Sequence, residues 1–192
     1  MEDTMNSENG KLLVLGGFAL RLFIAGINFF INLLSFMTPY PSFLATLFNL
    51  ASICATVMIA AGFLVMFLAD HDVFDFILAC GFASGALIPI LTLVGSRIFY
   101  NYRIIYILIS SLIVLIGLVT FATLLMWAFK LYKKSNRLAA FAIVVSLGAT
   151  VFSTLLTTLF GRFILIGFLS NMISLGSVAA LTFAAFLQFR ND

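Results

Sequence analysis

The chain has 192 residues, 64% of them hydrophobic and only 9% charged, with a formal net charge of +3. A soluble domain carries about 45–50% apolar and about 25% charged residues, so this composition excludes a water-soluble fold; the lipid bilayer is the expected medium, and nucleic acid is not expected as a partner. Phe supplies 23 residues against one Trp, a preference for a bulky side chain with no polar atom to satisfy in lipid.

The opening MEDTMNSENG is acidic and polar, unlike the basic start of a secretory signal or the Arg-rich, acid-poor composition of an organellar presequence. No cleaved leader is expected, and residues 1–11 read as a polar tail before a hydrophobic run that itself directs insertion. A bilayer core of roughly 30 Å takes about 20 apolar helical residues. The sequence holds six such runs, near 12–37, 42–69, 74–96, 103–129, 138–160 and 163–189, leaving 190–192 as the C-terminal end. The expected fold is all-α: a polytopic membrane protein whose single transmembrane domain is a six-helix bundle of three short-looped hairpins.

In the first run, Arg21 lies ten residues in, where a charge at mid-depth costs at least about 2.5–3.5 kcal/mol. Helical spacing places Gly17, Arg21, Ala25, Asn28, Asn32 and Ser35 on one stripe, which should face inward. One reading is a polar lane, with Arg21 contacting an anion or headgroup and Asn28 and Asn32 as hydrogen-bonding steps. The preferred reading is structural: Arg21 snorkels toward the interface one or two turns away while the small and amide residues join helices. The joint TPYPS at 38–42 is a tight turn with two prolines. In the second run Asn49, Ser52 and Thr56 carry the same two readings. Cys54 there, and Cys80 in the third run, lack ligand-like spacing and read as small buried hydrophobes.

The stretch LADHDVFDF, residues 68–76, gathers Asp70, Asp72 and Asp75 around His71, the one histidine of the chain. A zinc or acid–base site needs three or four converging ligands, and no second His or zinc-type Cys pair exists. The stretch therefore reads as a solvated loop, with Asp72 capping the third helix. That helix contains Gly81-x-x-x-Gly85 followed by Pro89, a spacing that suits close helix crossing.

The joint SRIFYNYR, residues 96–103, resembles an interfacial belt, and its Arg97 together with Arg162 in the FGR joint is a candidate site for an anionic ligand or interface contact. KLYKKSNR, residues 130–137, concentrates four cations beyond the fourth run, where they set topology and meet anionic lipid. In the fifth run Ser146, Thr150, Ser153 and Thr157 recur at helical spacing. Hydroxyls bond readily to the preceding turn and are common at helix contacts, so packing is preferred over a lane; Asn171 and Ser174 in the sixth run read likewise.

Lys and Arg in short loops stay cytoplasmic. Lys11, Lys130, Lys133, Lys134, Arg137 and Arg190 fall on one side against Arg97, Arg103 and Arg162 on the other, so both termini are expected in the cytoplasm. Sliding 30–70 against 152–192 aligns Asn49-x-x-Ser52 with Asn171-x-x-Ser174, an indication of an internal repeat of the first and third hairpins.

No run holds Asp, Glu or His well inside its apolar stretch, which argues against catalysis, metal or cofactor chemistry, and ion-coupled transport. The chain reads as a non-enzymatic protein acting by association in the bilayer with other membrane proteins, as an accessory subunit, assembly factor or scaffold. The alternative is a transporter or channel-like facilitator for a small neutral or anionic solute.

Overall fold

A backbone in hydrocarbon must satisfy its own hydrogen bonds, and long apolar runs do so as helices. The computed structural model describes residues 2–34, 42–98, 103–160 and 164–190, with side chains at all of these but 2–6, 34, 42, 45, 93–98, 103–104, 106 and 164–165. It contains six helices: α1 Glu2–Leu34, α2 Ser42–Asp70, α3 Val73–Ile98, α4 Arg103–Lys133, α5 Arg137–Phe160 and α6 Ile164–Arg190. Each is long and apolar enough to cross a membrane, and no strand occurs among the described residues. The joints at 38–42, 96–103 and 160–162 fall wholly or partly outside the described residues, and Arg162 with them.

The main departure from expectation is the start of α1, which begins at Glu2 rather than after a polar tail. Its first turns have a partner: a Cβ at Gly10 would stand 2.9 Å from the Gly62 carbonyl oxygen of α2, and Ser7 Oγ donates to Asp70 Oδ2 at 3.1 Å. Pro89 stays within α3 without ending it.

Two joints are capped tightly. At α2–α3, His71 takes a positive φ of 54°, and Asp72 Oδ1 accepts from Phe74 N–H at 2.9 Å, the N-cap expected from sequence. At α4–α5, Ser135 takes φ 64° while Asn136 N–H donates to the Leu131 carbonyl at 3.0 Å, a left-handed C-terminal cap. Asn136 then caps α5, accepting from Ala139 N–H at 3.3 Å, and donates from Nδ2 to the Leu187 carbonyl at 3.1 Å, which ties the joint to α6.

Each helix packs on its chain neighbours, and α6 returns to α1, so the six close into a ring. The centre is filled by Phe18, Phe63, Phe82 and Trp127, one from each of α1 to α4, all essentially buried. Phe18 stacks on Trp127 with ring centroids 5.7 Å apart, Phe63 stacks on Phe82 at 5.7 Å, and edge contacts link the pairs. Trp127 Nε1 donates to Gln188 Oε1 of α6 at 2.7 Å, satisfying both buried polar groups.

Two helix pairs meet along rows of small residues spaced by seven. In α1–α2 the rows are Gly10 and Gly17 against Gly62 and Ala55. In α5–α6 they are Ser146 and Ser153 against Ser177 and Ser170, with Oγ–Oγ separations of 2.7 Å and 2.6 Å; Ala139 and Ala184, both fully buried, continue those rows. The register that aligns 30–70 with 152–192 carries Ala55 onto Ser177 and Gly62 onto Ala184, and its backward extension carries Gly17 onto Ala139. The suspected repeat thus joins residues that occupy the same packing rows.

Burial is uneven along the ring axis. Past Ile24 on α1, Ala55 on α2, Ala86 on α3, Ile116 on α4, Ser153 on α5 and Ser170 on α6, no described side chain toward the end opposite the termini is buried. Neither Cys54 nor Cys80 is buried; the expectation of interior thiols is corrected, because both lie off the helix faces that meet neighbours.

Candidate functional site

The polar centre of the molecule lies at the end bearing the termini. Asp72 comes with the cap of α3 and Asp75 follows in its first turn; Lys130 stands in the last turn of the antiparallel α4. Lys130 Nζ lies 2.7 Å from Asp75 Oδ1 and 2.8 Å from Asp72 Oδ2. Asp75 is 3% exposed and Lys130 7%, so the pair is buried, whereas about a third of the Asp72 side chain remains accessible. Burial alone would raise the Asp72 carboxyl; the hydrogen bonds from Lys130 and from Phe74 N–H, with the charges of Lys130 and Lys134, outweigh it and hold the group below its ordinary value.

A cavity of about 340 Å³ opens over this triad, lined by Lys11, Met66, Asp70, Asp72, Asp75, Lys130, Lys134 and Gln188. Three acids face three lysines there. Gln188 of that lining accepts from Trp127, which links the cavity to the aromatic quartet. Among the described residues no three His, Cys, Asp or Glu side chains converge to hold a metal ion; between Asp72 and Asp75 the Lys130 ammonium occupies the place a cation would take.

This arrangement corrects the reading of 70–75 as a purely solvated loop. Asp72 is the expected cap, but Asp75 is withdrawn from water because Lys130, 55 residues later, neutralises it. The local sequence shows only that an acid near the start of one span and a lysine near the end of the next share one end of a hairpin. Gln188, a lone amide late in an apolar run, was a further signal.

The positions proposed as a polar lane do not come together as one. Ser146 is buried, and Thr150 Oγ1 lies 2.9 Å from Ser177 Oγ while also donating to the Ser146 carbonyl at 2.9 Å. Both belong to the α5–α6 rows. Both meet Ser177, and Ser153 in the same row meets Ser170; the α6 positions expected from sequence, Asn171 and Ser174, are half-buried and exposed. The seven-residue spacing of Ser170 and Ser177, matching Ser146 and Ser153, was the signal available. Asn28, Asn32, Asn49 and Ser52 are half-buried on α1 and α2, and the Ser52 carbonyl accepts from Thr56 Oγ1 at 2.8 Å.

Arg21 is half-buried and has no hydrogen bond or acidic partner among the described residues. It lies about 15 Å along α1 from Lys11, nearly three turns. Arg97 falls on α3 with its side chain outside the described residues, as Arg162 is altogether.

Fold and composition define an all-α, multi-pass integral membrane protein with six spanning helices. In comparisons with protein-family models, curated proteins and solved structures, nothing matches this chain.

Proposed function

We propose that this chain is a non-enzymatic membrane protein that acts by association in the bilayer, as an accessory subunit, assembly factor or scaffold, with both termini in the cytoplasm. The observation that carries the reading is the filled centre of the ring: Phe18, Phe63, Phe82 and Trp127 in contact, closed on one side by the Trp127–Gln188 bond and the Lys130 triad. A solute route along the axis meets these side chains. The hydroxyls that would have lined such a route are spent between α5 and α6. In the charged cavity, Lys130 Nζ bridges Asp72 and Asp75, so neither is an unpaired acid or base, and the three lysines of the lining offset its three acids.

The cytoplasmic assignment rests on Lys11, Lys130, Lys133, Lys134, Arg137 and Arg190, which all belong to the end bearing the termini. Extraction of the full chain from its own membrane in mild detergent, followed by sizing and identification of co-migrating proteins, tests the role. A membrane protein retained in fixed ratio is expected; a chain that migrates alone after gentle extraction contradicts it.

One observation favours the facilitator reading: Arg21, three residues past Phe18 and near the middle of the α1 span, is an ionic group with no partner among the described residues. A small anion or neutral solute reaching it from the opposite end would still have to pass the aromatic quartet.

A further inference from the structure

On the outer side of α4 and α5 two concavities, of about 530 Å³ and 420 Å³, share Leu125 and Val144 and form one trough. Phe129 and Phe141 wall its upper part. Gly148 opens the lower part, where an added Cβ meets no heavy atom within 4 Å. Along α4 the trough runs from Tyr132 to Phe121, about 16 Å at the helical rise, close to one leaflet of a roughly 30 Å hydrocarbon core; along α5 it extends from Arg137 to Leu155, about 27 Å.

Its polarity is one-sided. The wall is apolar, with no amide or hydroxyl besides the Tyr132 phenol, until the mouth, where Arg137 enters the lining. The Arg137 guanidinium carbon lies 5.9 Å from the Tyr132 ring centroid, and Lys133 Nζ 4.6 Å from that of Phe129. Both cations are exposed and neither has an acidic partner among the described residues. Asp70, Asp72 and Asp75 line the inner cavity, where Lys130 engages the last two.

We propose that this trough is a binding site for an anionic glycerophospholipid of the leaflet at the terminus-bearing end, one acyl chain lying along Phe141, Val144 and Gly148 and the phosphate held by Arg137 and Lys133. An apolar slot at least one leaflet deep, with exposed cations at its mouth and none below it, complements an amphiphile with one charged end. A partner helix is less well matched: the α1–α2 and α5–α6 contacts use facing rows of Gly, Ala or Ser, and the trough offers bulky Phe, Leu and Val walls. The site stands whether the chain is a scaffold or a facilitator and rests only on membrane insertion.

Native mass spectrometry of the full chain, released from detergent carrying equal amounts of phosphatidylglycerol and phosphatidylcholine, tests it. One phosphatidylglycerol should be retained preferentially, and Lys133→Gln or Arg137→Gln should each weaken retention about fivefold. Arg190→Gln, at the same end but outside the trough lining, should leave it unchanged. Gly148→Leu, which fills the slot without touching a charge, should also reduce retention. Equal retention of the two lipids, an equal loss in Arg190→Gln, no loss in Gly148→Leu, or a disulfide-linked dimer of Val144→Cys in place of bound lipid would each overturn the proposal.

Discussion

The buried pair of Asp75 and Lys130 is the residue-level feature on which the charged end depends. A buried ion pair is a weak source of net stability, but removing one partner strands the other charge. Asp75→Asn leaves Lys130 paired with Asp72, whereas Lys130→Met leaves the buried Asp75 carboxylate without its counter-ion and is therefore expected to destabilise the protein by about 3–5 kcal/mol, read as a lowered midpoint of thermal unfolding in detergent. Asp75→Leu combined with Lys130→Met removes both charges from the interior and should recover much of that loss, since Asp72 still caps α3. The Asp72 carboxyl is held low in the folded state, so its contribution is complete above the unfolded value of about 3.9 and is lost as pH falls through the lower folded value. Unfolding midpoints measured across acid pH should drop in the wild type below about pH 4 and drop less steeply in Asp72→Asn. At this scale the sequence was partly legible: the cap at Asp72 and the packing role of Ser146 and Thr150 follow from local pattern. The Asp75–Lys130 bond does not, because 55 residues separate its partners and only the antiparallel pairing of α3 and α4 brings them together.

At the scale of the helices, close contact between α1 and α2 depends on the absence of side chains. A Cβ at Gly17 would stand 2.8 Å from the Ala55 carbonyl oxygen and 2.6 Å from Ile59 Cγ1, and the first of these is backbone. Gly17→Ala should therefore cost about 1–3 kcal/mol as overpacking. Gly26→Ala, where an added Cβ meets nothing within 4 Å, should be neutral or stabilising by up to about 1 kcal/mol through helix propensity. Chemical unfolding of the two variants in one detergent separates them. The spans themselves were legible from hydropathy, since hydrocarbon leaves an apolar run of that length few alternatives to a helix. The start of α1 was not, because residues 2–11 are polar and become helical against α2, through Gly10 and Ser7. Nor were the α5–α6 rungs at Ser170 and Ser177: the eye is drawn to Asn171 and Ser174, and only the partner helix decides which face of α6 turns inward.

Across the whole molecule, six helices close a ring whose half nearest the termini is filled by aromatic rings, capped by an amide and sealed by an ion triad, while little is buried toward the opposite end. Composition announced the membrane and the helix count. It could not announce the closure of α6 onto α1 or the meeting of Phe18, Phe63, Phe82 and Trp127, because single Phe residues among 23 carry no local mark of which ones face the centre. Arg21 stands three residues past Phe18 of that plug, half-buried and without an acidic partner among the described residues. The most direct measurement is the permeability of sealed liposomes carrying the purified chain, followed by stopped-flow light scattering with glycerol as the neutral solute and by chloride efflux for an anion. With the ring centre filled, both rates should equal those of protein-free liposomes of the same lipid; a faster rate that Arg21→Ala abolishes would show instead that the molecule conducts.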